Sequence, residues 1–164
     1  MKIATLGIIT RENQVLLGQK QGGSEIGEGT LNGPGGKIES FDKSFLDCIV
    51  RETQEEVGIE LNPEKVEKVS IITFYARGVP DFKVHVYRTN VFTGEPKKTE
   101  SMVPEWYDID NLPVGRMLES DREWFPQLIK GERLNANVYY RERAKGFIKI
   151  EFLPFVDEDE PAAH

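Results

Sequence analysis

The sequence has few of the features that would place a protein in a membrane or an oxidising compartment. Its 164 residues include one cysteine, Cys48, so no internal disulfide can form, and this fits a reducing cytoplasm. No apolar run approaches the roughly 20 residues that span a bilayer. The N-terminal residues lack the apolar stretch and small-residue cleavage site of a signal peptide. We therefore expect a cytoplasmic protein without membrane contact.

Positive charge is also scarce, with 21 Lys and Arg against 28 Asp and Glu, which gives a formal net charge of −7. A protein that binds long nucleic acid would normally present a basic face, because neutralising phosphates supplies much of its affinity. An acidic protein that binds a small polyphosphate needs positive charge from another source, and a bound divalent metal is the natural one. The composition excludes long nucleic acid as an expected partner and makes a metal plausible.

The chain length suits one domain with one core, and neither an internal repeat nor a linker interrupts it. We assign residues 1–156 to that domain. Residues 157–164 are acidic and contain proline, so we expect a disordered tail there. The sequence carries no signal for an oligomeric state.

Apolar periodicity predicts several strands and two helices, with a glycine-rich loop over residues 22–36. Ser44 resembles a helix N-cap, and Gly58 is placed to end that helix in the left-handed conformation. A turn is predicted over residues 77–81 between two long strands. The predicted helices span residues 44–57 and 121–130, and the predicted strands span residues 3–10, 14–19, 66–76, 82–92, 105–108, 136–140 and 147–152.

An acid cluster on the first helix is the most informative feature. Glu52, Glu55 and Glu56 follow the i, i+3, i+4 spacing that brings side chains to one helix face. Their mutual repulsion would cost stability unless a hard cation with oxygen ligands relieves it, and Mg²⁺ suits such ligands. Arg51 can orient these acids, and the Gly36 carbonyl can complete the coordination. The alternative interpretation is a solvated acidic face, which the flanking glycines disfavour.

These residues form a long motif: Gly36, five residues, Asp42, eight residues, then Arg51-Glu52-Thr53-Gln54-Glu55-Glu56-Val57-Gly58-Ile59. The motif resembles the Nudix box, with one extra residue before Arg51 and with Asp42 and Thr53 in place of a glutamate and an aliphatic residue. We expect Asp42 to hold the loop or cap the helix instead of binding metal.

The resemblance implies the α+β class, as an α/β/α sandwich with a mixed β-sheet core. It also implies a pyrophosphohydrolase that uses Mg²⁺, with Mn²⁺ as a substitute. The implied catalytic residues are Arg51, Glu52, Glu55 and Glu56. The implied metal ligands are Gly36 and the three glutamates, with Glu100 as a further ligand or base.

The chain also resembles the MutT and mammalian oxidised-purine nucleoside triphosphatase branch of that family, over most of residues 3–153. The segments that carry this resemblance are 15–20, 31–37, 84–87 and 123–126. The resemblance implies a small nucleotide as the substrate, namely a purine nucleoside triphosphate in its normal or oxidised form, cleaved to a nucleoside monophosphate and pyrophosphate. It implies contacts to that substrate from Thr5, Lys20, Asn32 and Asp121.

Two of these residues have simpler interpretations. Asn32 precedes a glycine, as turn asparagines often do, and Asp121 could be a helix N-cap.

The sequence departs from the branch at two positions near Asp121. The branch carries an acid where Ser120 stands and a tryptophan where Leu118 stands. Without a neighbouring acid, we expect Asp121 to be ionised. His85 and Cys48 are interpreted as structural residues.

Alternative functions are a Nudix hydrolase of a nucleotide sugar, a dinucleoside polyphosphate or an RNA 5′-triphosphate, and a non-catalytic nucleotide-binding module. The module would be expected to lose helix glutamates, and this chain keeps all three.

Overall fold

The computed structural model describes residues 1–21 and 29–158. Its two α-helices are α1 (Phe45–Val57) and α2 (Asp121–Ile129), and short 3₁₀ turns occupy Pro63–Lys65, Ile109–Asn111 and Val114–Arg116. The strands are β1 (Lys2–Arg11), β2 (Gln14–Lys20), β3 (Leu31–Asn32), β4 (Glu60–Leu61), β5 (Glu67–Ala76), β6 (Val79–Thr89), β7 (Phe92–Thr93), β8 (Met102–Asp108), β9 (Leu134–Glu142) and β10 (Lys145–Pro154).

A mixed sheet of eight strands forms the centre of the fold. Its order is β10-β9-β5-β6-β1-β2-β3, with β8 paired to β2, while β4 and β7 form a separate pair. β1 lies parallel to β6 and β5 lies parallel to β9, and the other pairs are antiparallel. The mixed sheet predicted from the sequence is therefore confirmed.

Each face of the sheet carries its own apolar core under one helix. Successive residues of β1 alternate between the two cores, as the two-residue period of a strand requires: Ile8 joins one core and Ile9 the other. Trp124 and Phe125 of α2 cover the first core. Phe45 and its neighbours on α1 cover the second. This arrangement confirms the predicted α/β/α sandwich of the α+β class.

The predicted caps of α1 are present. Ser44 Oγ accepts a hydrogen bond from the Asp47 N–H at 3.0 Å, which satisfies a helix donor that has no partner within the helix. Gly58 has a φ of 75°, and its N–H donates to the Gln54 carbonyl at 3.0 Å. These caps fix where the helix begins and ends, and hence where its glutamates lie.

Several element boundaries differ from the prediction. The turn between β5 and β6 consists of Arg77 and Gly78, with φ values of 53° and 78°, because two residues in this conformation match the twist of a hairpin. β8 begins at Met102, earlier than predicted, and the short strands β3, β4 and β7 were not predicted. Of the predicted glycine-rich loop, residues 22–28 lie outside the described residues.

The start of the predicted tail is held against the sheet by ion pairs. Asp157 lies 2.6 Å from Lys68, and Glu158 lies 2.8 Å from Lys83. Residues 159–164 of the predicted disordered tail lie outside the described residues. Within the described ranges, neither α-helix has the length and apolar composition to cross a bilayer.

Candidate active site

The glycine-rich segment that precedes α1 lies directly against β1. The Thr5 and Gly7 N–H groups donate to the Gly36 and Pro34 carbonyls at 2.8 and 2.7 Å. A Cβ added at Gly35 would overlap the Thr5 backbone, so only glycine allows this approach. The segment therefore brings its backbone N–H and carbonyl groups to the inner face of α1.

Glu56 is buried and contacts this segment. Its Oε1 accepts a hydrogen bond from the Gly35 N–H at 2.7 Å, and its Oε2 lies 3.4 Å from Lys20 Nζ. Lys20 also donates to the Gly35 carbonyl at 2.6 Å. Burial raises the pKa of Glu56, and the charge of Lys20 opposes that shift. The ion pair with Lys20 only partly offsets the cost of burying this charge.

Glu52 lies one turn before Glu56, with its carboxylate against Gly36. Its Oε1 accepts a hydrogen bond from Arg51 at 2.9 Å. Burial raises the pKa of Glu52 as well, and the next largest contribution to the rise is the charge of Glu56. The charge of Glu56 thus disfavours the charge of Glu52, and a cation bound by both carboxylates would relieve that conflict.

Arg51 connects the acids of α1 to the loop before it. Its Nε and one terminal nitrogen donate to the two carboxylate oxygens of Asp42, both at 2.8 Å, while the other terminal nitrogen contacts Glu52 and Glu55. The pairing with Arg51 lowers the pKa of Asp42. Asp42 also accepts from the Glu39 N–H at 2.8 Å. The predicted loop-holding role of Asp42 is confirmed, and the helix cap is Ser44.

Replacement of Asp42 by Asn should destabilise the fold. The substitution removes the charge of the two-point partner of Arg51, which is partly buried and keeps its contacts with Glu52 and Glu55, and such a loss costs roughly 1 to 3 kcal/mol. Urea unfolding at pH 7 measures it, with Asp47→Asn on the exposed side of α1 as the control. Because the folded pKa of Asp42 is lowered, the difference should be complete above about pH 4 and diminish as the pH falls below that. Equal stability of the two variants would contradict this role.

Two predicted metal ligands, Glu55 and Glu100, are exposed, unlike Glu52 and Glu56. The Glu55 side chain is 57% exposed and pairs with Arg51 at 3.1 Å. Glu100 is exposed on the segment before β8, where its neighbour Ser101 faces the cavity described below. Over the described ranges, no three acidic, histidine or cysteine side chains are spaced to hold a metal ion by themselves. The metal roles of Glu55 and Glu100 therefore remain predictions.

The remaining donors fit a hard divalent cation. Glu52 and Glu56 supply carboxylate oxygens, and Gly36 supplies a carbonyl that also accepts from Thr5. Mg²⁺ is usually bound by one or two carboxylates, with water and substrate phosphates completing its shell. A third acidic side chain is not required for such a site.

Gly36→Ala tests the position of the Glu52 carboxylate. An added Cβ would lie 2.6 to 2.8 Å from the Glu52 carboxyl atoms, so the flexible end of that side chain must move. We expect stability to change by less than about 1 kcal/mol and hydrolytic activity to fall roughly tenfold or more. Gly35→Ala is the contrasting variant, because its Cβ would meet backbone and should destabilise the fold. Unchanged kcat/KM in a folded Gly36→Ala protein would show that the Glu52 position is unimportant.

A cavity of about 330 Å³ extends from these acids into the first core. One end holds Glu52, Glu56 and Lys20. The other end is apolar apart from Asp121, which is 2% exposed. The residues of the apolar end are Phe74, Phe82, Val84, Leu118 and Trp124, and Thr5, Gln21, Asn32, Lys37 and Ser101 also line the cavity.

Asp121 differs from its sequence interpretations in two respects. It is the first residue of α2, and Ser120 occupies the N-cap position, so Asp121 is not the N-cap. Burial alone raises the pKa of Asp121 to about 7, even though no second acid neighbours it. The expectation of an ionised Asp121 is therefore incomplete: both forms are present near pH 7, because that expectation considered charge repulsion and omitted the loss of water.

The other predicted substrate contacts have local structural roles as well. Asn32 Oδ1 accepts from the Gly33 N–H at 3.0 Å, which fits the turn interpretation, and the residue also lines the cavity. Thr5 is buried, with its hydroxyl 3.4 Å from the Gly36 carbonyl and from Cys48 Sγ. The structure brings both residues to the cavity together with Lys20 and Asp121.

His85 and Cys48 are structural, as predicted. His85 is buried and stacks on Phe45, with ring centroids 3.8 Å apart, and burial lowers its pKa to about 3. Cys48 is fully buried, and burial raises the pKa of its thiol to about 12. Neither group is suited to titrate or react near neutral pH.

Sequence reasoning did not identify the apolar end of the cavity. Phe74 and Phe82 lie opposite each other on β5 and β6, and both face the first core. Their alternation within the predicted strands indicates burial, but it does not distinguish a filled core from a cavity wall. Gln21 and Ser101 were also missed, because isolated polar residues near strand ends carry no sequence signal.

Comparisons with known proteins agree with this geometry. The NUDIX domain model matches residues 1–128. An oxidized purine nucleoside triphosphate hydrolase from Danio rerio is 33% identical over 133 residues, which cover 80% of this chain and 82% of that protein. The Mus musculus protein of the same name is 29% identical over 143 residues, with coverages of 87% and 88%. The crystal structure of a MutT protein from Bacillus halodurans has a similar fold, with a TM-score of 0.79, 23% identity and coverages of 93% and 97%.

Proposed function

The chain belongs to the NUDIX family and is a pyrophosphohydrolase, and we propose that its substrates are purine nucleoside triphosphates, oxidised forms included. The products are the nucleoside monophosphate and pyrophosphate, and the cofactor is Mg²⁺, which Mn²⁺ can replace. One observation carries this proposal: a single cavity joins paired carboxylates at one end to an apolar end with one protonatable acid, Asp121. Such a cavity suits a ligand with a polyphosphate and a flat, partly polar base.

The acidic end would bind the cation through Glu52, Glu56 and the Gly36 carbonyl. A bound divalent cation neutralises phosphoryl oxygens and lowers the pKa of water. Arg51 orients Glu52 and Glu55 through its hydrogen bonds at 2.9 and 3.1 Å. Glu55 then serves as a rim ligand or as a base, and Glu100 is the candidate for a further acid from the β8 side.

Lys20 supports the same end of the cavity. Its ammonium group lies between the Gly35 carbonyl and the Glu56 carboxylate, where it offsets part of the negative charge. With a cation bound, Glu56 has a second positive partner, so Lys20 becomes available to phosphate oxygens. Lysine suits this role as a compact charge on a flexible stem.

The apolar end would hold the base. Asn32 carries both a donor and an acceptor, and Asp121 can donate a hydrogen bond when it is protonated. Thr5 supports the floor of the cavity through its contacts with Gly36 and Cys48. A buried polar group discriminates between bases because an unpaired partner is costly.

Measurement of pyrophosphate release tests the proposal directly. We expect Mg²⁺-dependent pyrophosphate from dGTP, 8-oxo-dGTP and dATP, with far less from dCTP, UDP-glucose and diadenosine tetraphosphate. Omission of Mg²⁺ is the control for cofactor dependence, and Mn²⁺ should restore turnover. Preference for dCTP, a nucleotide sugar, a dinucleoside polyphosphate or an RNA 5′-triphosphate would overturn the purine assignment. Absence of turnover on every substrate would favour a non-catalytic binding module.

A further inference from the structure

A buried hydroxyl chain ends at the acid of the base pocket. The Tyr140 hydroxyl, from β9, accepts a hydrogen bond from the Ser120 backbone N–H at 3.0 Å and donates to Ser120 Oγ at 2.9 Å. Ser120 Oγ in turn donates to Asp121 Oδ1 at a longer 3.5 Å. All three residues are buried, with Ser120 fully so. The chain therefore connects a strand of the sheet to the wall of the cavity.

The direction of these hydrogen bonds follows from the chemistry of the groups. The Tyr140 hydroxyl already accepts from a backbone N–H, so its own proton is directed at Ser120. Burial raises the pKa of Tyr140 above its ordinary range, which keeps that proton in place. Ser120 then uses its lone pair for Tyr140 and its proton for Asp121. The oxygen Oδ1 of Asp121 is thereby occupied as an acceptor.

We propose that Tyr140, acting through Ser120, is a positioning residue that keeps Asp121 Oδ1 an acceptor and leaves Oδ2 to carry the proton offered to a bound base. This inference rests on the proposed purine function, since it defines how that site presents a donor. A carboxylic acid with a fixed proton position is a directional donor. Without the hydroxyl chain the proton could occupy either oxygen, and the donor direction would be lost.

The pKa of Asp121 is set by burial and by hydrogen bonds and not by a neighbouring charge. Burial raises the pKa of Asp121, and the interactions with the Trp124 indole N–H and then with the Ser120 hydroxyl act in the opposite direction. The charge of Glu119 acts on Tyr140, which is the end of the hydroxyl chain farthest from Asp121, and it raises the pKa of that tyrosine. The charged side chains that face the same cavity are Lys20, Lys37, Glu52 and Glu56.

Tyr140→Phe tests the positioning role, with Tyr139→Phe as the matched control because that hydroxyl bonds Glu151 on the exposed surface. With a purine nucleoside triphosphate, we expect Tyr140→Phe to raise KM roughly tenfold while kcat stays within about threefold. A merely structural tyrosine would lower the folded, active fraction and hence kcat, with KM unchanged. Thermal unfolding of both variants measures that fraction. An unchanged KM in folded Tyr140→Phe would overturn the proposal.

Ser120→Ala provides a second test that needs neither substrate nor metal. It removes the donor to Oδ1 that favours the ionised form, so the pKa of Asp121 should rise further above about 7. Carbon-13 NMR titration of the Asp121 carboxyl group measures the midpoint in wild type, Ser120→Ala and Tyr139→Phe. Coincident midpoints in all three would overturn the hydrogen-bond chain. If wild type releases no pyrophosphate from purine nucleotides, the proposed function fails, while the NMR result still decides the chain.

Discussion

Glu56→Gln should lower kcat/KM by about 10²-fold or more, because a metal ion supplies several kcal/mol of transition-state stabilisation and this residue holds it. The substitution keeps the size of the side chain and its hydrogen bond from the Gly35 N–H. It removes the charge of one of the two glutamates that line the cavity. The loss should be only partly recovered at high Mg²⁺, and titration of activity against Mg²⁺ from micromolar to millimolar concentrations measures this.

The stability of Glu56→Gln separates a metal role from a folding role. Burial raises the pKa of Glu56, so the folded state disfavours its charge, and a neutral amide removes that cost. The loss of the ion pair with Lys20 acts against this gain. We expect the free energy of unfolding of the metal-free variant to lie within about 1 kcal/mol of the wild-type value or above it. Glu60→Gln, at an exposed position of β4, is the control for both measurements. Near-wild-type turnover at saturating Mg²⁺ would exclude Glu56 as a principal ligand.

The elements that position the acids could be predicted from the sequence because local signals agree there. Ser44 and Gly58 mark the ends of α1, and the i, i+3, i+4 spacing places Glu52 and Glu56 on one face. The structure adds what spacing alone does not contain. Glu55 belongs to the same sequence pattern, yet its side chain is mostly exposed because Arg51 holds it at the rim.

Contacts between distant segments account for most of what sequence reasoning missed. The role of Asp42 depends on Arg51, nine residues later, and the pKa of Asp121 depends on how completely the sheet and α2 exclude water. Tyr140, on β9, reaches Ser120 by a tertiary hydrogen bond between residues that lie 20 positions apart in the sequence. Burial and tertiary hydrogen bonding set these properties, and neither has a local pattern.

Asp121 offers the sharpest test of how the base is recognised. Asp121→Ala should lower kcat/KM for purine nucleotides roughly 10- to 10²-fold, since one unpaired polar group costs about 1 to 3 kcal/mol. Asp121→Asn should retain most activity, because the amide always carries a donor. Glu119→Gln, the exposed neighbour, is the control and should match wild type. Equal losses in the alanine and asparagine variants would contradict a donor role.

The pH dependence distinguishes the two forms of Asp121. Its folded pKa of about 7 lies above the ordinary value of 3.8, so the donor is present below pH 7 and is lost as the pH rises through that value. The ratio of wild-type to Asp121→Asn kcat/KM should therefore fall between about pH 6 and pH 8 for a substrate that needs the donor. Using this ratio cancels the titration of the metal-binding acids, which both proteins share.

The free energy of unfolding should also fall as the pH rises, because between pH 3.8 and pH 7 the folded state keeps a proton that the unfolded state has lost. Wild type should thus lose stability relative to Asp121→Asn as the pH rises through this window.

The preference for 8-oxo-dGTP over dGTP provides a further test. A preference that declines between about pH 6 and pH 8 would identify protonated Asp121 as the discriminating group. A preference that is constant from pH 6 to pH 8 would assign the discrimination to Asn32 and the apolar wall.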